Sequence, residues 1–245
     1  MWTCLLFLSA QFAFGITSDK DTWTQCPSKC RCEPIVDHVV TIRLTVDCQG
    51  RPDVDGKQLS EQLDSMLFTH DRLTYLSITN SPLTHVPRSV CRLTTLTHLC
   101  LDNNRLTQLP DNCLTNLSHL VRFTAQDNAI GGLQDGVFNG LTELQYLHLD
   151  RNTISSIGLS VFAASSNLSN LFEIHMSENN LTSIEPWVYV RGLIGSFQRI
   201  VYIDLSHNKI SKFTNEMGLH VQCSRQVPFA KINLEYNSIR HYIDI

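Results

Sequence analysis

Beyond its first fifteen residues this chain has no apolar run long enough to cross a bilayer, which excludes a membrane-spanning helix in the remainder as written. It also lacks a charge excess: 19 Lys and Arg stand against 23 Asp and Glu, and the net charge of −4 is spread out. No electrostatic footprint for nucleic acid or an anionic membrane follows from that balance. A nucleophile–base constellation, a phosphate-cradling glycine loop and a metalloprotease motif are likewise missing. Enzyme activity and a cofactor are therefore not expected.

What is present begins with MWTCLLFLSAQFAFG. An apolar run from Cys4 to Phe14 closes on Ala13-Phe14-Gly15, a small-x-small cleavage pattern, and polar ITSDKD follows at once. Residues 1–15 read as a secretory signal peptide, although a positive n-region is missing. Cys4 leaves with it, so eight of the nine cysteines remain: Cys26, Cys30, Cys32, Cys48, Cys91, Cys100, Cys113 and Cys223. An even count in an oxidising compartment favours disulfides. Sequons at Asn116, Asn167 and Asn180 mark candidate glycosylation sites and agree with a secretory, extracellular location.

Aligned on itself, the chain repeats. LTYLSITNSPLTHVP starts at Leu73, LTHLCLDNNRLTQLP at Leu96, LVRFTAQDNAIGGL at Leu120 and LQYLHLDRNTISSI at Leu144. LFEIHMSENNLTSI at Leu171, IVYIDLSHNKISKF at Ile200 and FAKINLEYNSIRHY at Phe229 complete the series. All seven match LxxLxLxxNxLxxL, the leucine-rich repeat. The pattern predicts an α/β solenoid, or horseshoe, with short parallel strands lining its concave side. The Asn at the end of each strand turns the chain away, and once buried its amide must bond the backbone of adjacent turns. Asn104, Asn128, Asn152, Asn179, Asn208 and Asn237 hold that place, with Ser81 as a weaker substitute in the first block. Phe138 and Phe162 lie at the same offset from their block starts and should pack into one aromatic row toward the convex side. Blocks lengthen from 23 to 29 residues along the chain, placing insertions on the convex side. One insertion, Pro186 to Phe197, is apolar and aromatic: either a local core closure or an exposed contact patch.

Residues 16–72 form a linker and a cap, and 73–245 the repeats. The cap contains CPSKCRC and HVVTIRLTVDC, whose Val40, Ile42, Leu44 and Val46 fall on one strand face. A solenoid's first turn has no neighbour, so a disulfide-pinned hairpin can cover it. Spacing alone leaves three connectivities open for four cysteines. The string resembles the amino-terminal flanking module of extracellular leucine-rich repeat proteins, and that resemblance implies Cys26–Cys32 and Cys30–Cys48 pairs. Cys91 and Cys113 flank adjacent repeats on the convex side and are the preferred further bridge, while Cys100 should face solvent, as a free thiol or in a disulfide across the concave surface or to another chain. Cys223 is left to pair beyond the last residue of this sequence. That last block, ending at Ile245, has no cap behind it and reads as a cut through a longer ectodomain.

Outward-facing strand positions supply the candidate ligand-binding residues. One column holds Tyr75, His98, Arg122, Tyr146, Glu173, Tyr202 and Lys231. The next holds Ser77, Cys100, Thr124, His148, His175, Asp204 and Asn233, and charged residues such as Asp102, Asp150 and Arg151 follow the strands. Tyrosine, histidine and charge of both signs suit specific recognition. His148, His175 and Asp204 on consecutive strands, with Glu173 nearby, form either a solvated polar row, a pH-sensing network or a metal-ligand set.

The signal peptide, cysteine cap, 24-residue repeats with Phe and longer irregular repeats together resemble the ectodomain of Toll and Toll-like receptors. The segment SIEPWVYVRGLIGSFQRIVYIDLSHNKISKF looks particularly like invertebrate Toll ectodomains. The resemblance implies innate-immune recognition of a protein or microbial ligand, receptor dimerisation, and signalling through segments that this chain does not contain. The competing expectation is a secreted matrix or adhesion protein of the small repeat-proteoglycan or neuronal-guidance type. A soluble decoy is a third.

Overall fold

The computed structural model describes residues 26–27, 30–36, 42–48, 55–67, 73–110, 113–162, 168–183, 199–214, 231–239 and 241–243. The signal peptide, Asn167, the Pro186–Phe197 insertion, Cys223 and Ile245 lie outside the described residues. Strands β1 (Arg31–Val36) and β2 (Ile42–Asp47) pair antiparallel. Disulfides Cys26–Cys32 and Cys30–Cys48 pin that hairpin. Its inward residues Leu44 and Val46 are fully buried. Such bridges persist in oxidising, extracytoplasmic compartments.

From β2 onward the sheet is parallel. It runs through β3 (Leu73–Thr79), β4 (His98–Cys100), β5 (Arg122–Thr124), β7 (Tyr146–His148), β9 (Glu173–His175), β10 (Tyr202–Asp204) and β12 (Lys231–Asn233). Every one of the seven sequence blocks thus contributes a strand, in chain order and without crossovers. The parallel sheet also starts one strand earlier than the first block, because β2 pairs in parallel with β3. Between them lies α1 (Gly56–Leu67), which the repeat pattern did not signal. Its Leu59 and Leu63, one helical turn apart, are buried, and Asp55 accepts the Lys57 N–H at 2.8 Å to cap its first turn.

The convex side carries less regular structure. Two 3-10 turns occupy Arg88–Arg92 and Leu114–Asn116. Among the described residues, β6 (Gly132–Leu133) with β8 (Ser156–Ile157), and β11 (Lys212–Thr214) with β13 (His241–Ile243), form two further short parallel pairs. Cys91 bonds Cys113 across the two 3-10 turns. Closing a 22-residue separation restricts the unfolded chain by about 3 kcal/mol in the chain-entropy account. Inside, leucines from each turn stack into one core. Phe123, Phe138 and Phe162 run through it with successive ring centroids 6.3 and 6.2 Å apart.

Turns are stitched together by asparagine. Asn152 Oδ1 accepts the Ile130 N–H at 3.0 Å, while its Nδ2 donates to Ala125 O at 2.8 Å and Leu149 O at 3.1 Å. Asn104, Asn128, Asn179, Asn208 and Asn237 repeat this pattern one turn at a time. Ser81, too short to copy it, donates to Thr79 O at 2.8 Å within its own turn. Immediately before each of these residues the backbone is left-handed: Asn80, Asn103, Asp127, Arg151, Glu178, His207 and Tyr236 have φ between 51° and 58°. The conformation brings the chain sharply off the strand, and for a residue with Cβ it costs about 1 kcal/mol.

Two outcomes follow. Asn152→Ala strands the Ile130 N–H in the core, while the Ala125 carbonyl keeps its bond from Asn128, and should lower unfolding free energy by about 1–3 kcal/mol in urea titration. Glu178→Gly should leave stability equal or raise it by about 0.5–1 kcal/mol, whereas Glu178→Val should lower it by at least that much.

Candidate concave binding face

Strand alternation decides what this face displays. In each three-residue strand the middle apolar residue points inward and its two neighbours point out. Parallel register then aligns Arg43, Tyr75, His98, Arg122, Tyr146, Glu173, Tyr202 and Lys231 in one row. Because strands lie about 4.8 Å apart, these long side chains touch along the row. The Arg122 guanidinium sits 4.2 Å from the Tyr146 ring centroid, and Lys231 Nζ 5.8 Å from that of Tyr202. Tyr75 and His98 stand 6.0 Å apart between ring centroids. Arg43 extends the row onto the cap strand, 6.0 Å from the Tyr75 ring. It was legible as the outward residue of the alternating HVVTIRLTVDC segment. Phe172 was not legible: it braces Tyr146 edge-on at 6.0 Å from the position just before β9.

The row is half-buried apart from exposed Arg43 and Lys231. Packed arginine and tyrosine lose little side-chain freedom on binding, which is why such residues dominate contact surfaces. Burial also pushes the Tyr75 hydroxyl above its ordinary range. His98 is held below the usual imidazole value by burial first, then by the Arg122 and Arg43 charges.

The second row is closed at its amino-terminal end. Ser77 and Thr124 are buried, and Cys100 is only 3 % exposed. The expectation that Cys100 faces solvent is therefore corrected, and of the alternatives left open for its sulfur the structure takes the disulfide. From His148 onward the row opens. His148 and His175 face each other with ring centroids 4.5 Å apart, and His175 in turn lies 5.3 Å from the Tyr202 ring. Burial above all, with His175 and Arg122 nearby, lowers the His148 pKa to about 3, so its imidazole is neutral at neutral pH. Asp204 does not complete the histidine pair. Its carboxylate accepts the Tyr202 hydroxyl at 3.1 Å and the Ser206 N–H at 2.9 Å. Burial opposes its ionisation, but those bonds and the His175 attraction outweigh it and keep the pKa below the ordinary value.

Past the strands, two of the acids counted as surface charge are structural. Asp150 is 4 % exposed and accepts from Gln126 Nε2 at 2.8 Å, Ser177 N at 2.9 Å and Ser177 Oγ at 2.8 Å. Asp102 accepts the Gln126 N–H at 2.9 Å. Arg151 and Asp127, by contrast, pair in the open through two bonds of 2.7 and 2.8 Å. Of the candidate glycosylation sites, Asn116 is exposed and Asn180 half-buried.

Burial raises the Asp102 pKa from 3.8 to about 6 against the lowering effect of its hydrogen bonds. The folded chain therefore binds more protons than the unfolded one between those values. The stability this group contributes is present below 3.8 and lost as pH rises through 6. Asp102→Asn, which keeps the acceptor for Gln126, should stabilise the protein at pH above 7 by about 2 kcal/mol. The gain should shrink toward zero near pH 4 in paired urea titrations.

Residues 71–130 match the leucine rich repeat family. Among curated proteins, chicken (Gallus gallus) lumican is 29% identical over 174 residues, covering 63% of this chain and 46% of its own length. Gallus gallus keratocan is 27% identical over 142 residues, 57% of this chain and 36% of its own. Pig (Sus scrofa) fibromodulin is 28% identical over 158 residues, 64% of this chain and 95% of its own. The chain thus spans less than half of the lumican and keratocan it matches. Among solved structures, a Leptospira interrogans leucine-rich repeat protein has a TM-score of 0.57 at 21% identity, over 75% of this chain and 41% of that one. The Drosophila Toll–Spätzle complex gives 0.55 at 22% identity, over 71% and 26%. At such identities the structures share the fold and nothing finer. The resemblance to Toll and Toll-like receptors is accordingly corrected: lumican, keratocan and fibromodulin are small leucine-rich proteoglycans, and these curated relatives do not support a Toll receptor. What the sequence and the structure establish together is a leucine-rich repeat solenoid with a disulfide-bonded amino-terminal cap.

Proposed function

We propose that the chain is the repeat region of a secreted extracellular-matrix protein that binds a protein partner along its concave face. The observation that carries this reading is its sequence relation to lumican, keratocan and fibromodulin across more than half its length. The concave row supports it chemically. Arg43, Arg122 and Lys231 each stand beside a tyrosine, Tyr75, Tyr146 and Tyr202 in turn, offering cations and aromatic faces to an extended partner rather than a field of one sign. Binding rather than catalysis is the role assigned to these residues. Glycans on Asn116 and Asn180 would leave the two strand rows uncovered, since both lie outside the strands.

Epitope-tagged full-length protein expressed in cultured cells should accumulate in the medium and pericellular matrix. The purified chain should capture solubilised matrix proteins, and Arg122→Glu with Tyr146→Ala should weaken the captured partner at least about tenfold by surface plasmon resonance, or 1.4 kcal/mol. Leu159→Ser, at an exposed position away from the sheet, should change it less than about twofold. Retention at the plasma membrane, or capture indifferent to the concave substitutions, would overturn the proposal.

A further inference from the structure

We infer that His148, Glu173 and His175 form a binding site for a divalent transition-metal ion of the zinc class on the concave face. The inference is independent of the matrix role proposed above. Each of the three residues offers one ligand atom, and all three atoms lie within 4.8 Å of one another. Register places them there without any loop: His148 on β7 stands opposite His175 on β9, and Glu173 points the same way two residues before His175. The backbone positions of the donors are thus set by the sheet.

The unpaired atoms make the case sharper. The Nε2 atoms of His148 and His175 are both buried and neither has a hydrogen-bond partner. His175 Nε2 comes within 3.5 Å of a Glu173 carboxylate oxygen, an ion-pair distance but too long for a good hydrogen bond. A buried polar atom left unmade costs about 1–3 kcal/mol. Here one such atom lies against the Glu173 carboxylate and the His148 imidazole stands within 4.8 Å of both, so one cation would satisfy all three groups together.

The donor set selects the ion. Two imidazoles and a carboxylate suit zinc and its neighbours in the first transition row, whereas magnesium and calcium require oxygen ligands. Donors on a tetrahedral zinc sit about 3.3 Å apart, so the side chains must close by up to about 1.5 Å, within reach of small χ rotations. Three protein ligands leave the fourth position to water. Charge around the site is balanced: Arg122 faces it but is stacked on Tyr146, and Asp204 adds a carboxylate beyond His175. Asp204 itself is spent on Tyr202 and Ser206, which is why Glu173 takes the place expected for it.

The test uses tag-free purified protein and zinc chloride in isothermal titration calorimetry at neutral pH. One ion per chain should bind with a dissociation constant in the micromolar range or tighter. His148→Gln and His175→Gln should each weaken it at least about tenfold and Glu173→Gln at least about threefold, with Asp204→Asn changing it less than about threefold. Cobalt(II) added to the wild-type chain should give the visible d–d bands of a four-coordinate ion, a readout that needs no variant to fold. No zinc uptake, uptake unchanged in the His148→Gln/His175→Gln double variant, or only the weak bands of six-coordinate aqueous cobalt would overturn the assignment.

Discussion

A primary amide cannot be buried unpaired, and this molecule is organised around meeting that requirement once per turn. Each ladder asparagine ties its own turn to the preceding one, accepting an N–H from the preceding turn and donating to carbonyls of both. Removing one would leave a backbone N–H of the preceding turn without its acceptor, while the carbonyls, shared by consecutive asparagines, keep one donor each. The left-handed residue before each asparagine is the local cost of delivering the side chain to that place. Strand register, core stacking and the concave display all depend on this repeated bond.

Because the ladder fixes the turns, the concave rows inherit a constant spacing, and side-chain chemistry along them becomes collective. Arginine stacks on tyrosine and histidine meets histidine simply because the next strand is one sheet spacing away. The same closeness produces the electrostatic consequences. Asp102 rises toward neutral pH and His148 falls far below it, since both give up water to their neighbours. At the amino-terminal end the second row carries small residues, Ser77, Cys100 and Thr124, and all three are buried. Where the second row carries imidazole, it opens.

This division also explains why the repeat positions misdirected the family reading. Leucine, phenylalanine and asparagine at their offsets are demanded by the solenoid itself, so they recur in matrix proteins, bacterial proteins and Toll alike. Function resides in the outward residues, which the framework leaves free to vary. The relation to lumican, keratocan and fibromodulin extends over more than half the chain and therefore carries information that the motif alone does not.

The sequence by itself determined the periodic features: the strand in every block, the asparagine positions, the phenylalanine row and the identity of the two concave columns. All of these follow from local period and from the strict two-residue alternation of a strand. Tertiary structure alone decided what depended on neighbouring turns. Helix α1 lies in the cap, where no repeat period announces it, although its Leu59–Leu63 spacing is helical. The left-handed residues are Asn, Asp, Arg, Glu, His and Tyr, a set with no common chemistry for a sequence pattern to detect. Cys100 and Asp150 looked outward by alternation yet are buried, Cys100 held in a disulfide and Asp150 under hydrogen bonds from Gln126 and Ser177. Glu173 rather than Asp204 joins the histidines, since Tyr202 and Ser206 reach the aspartate first. Period dictates which way a side chain points; only packing decides what it meets there.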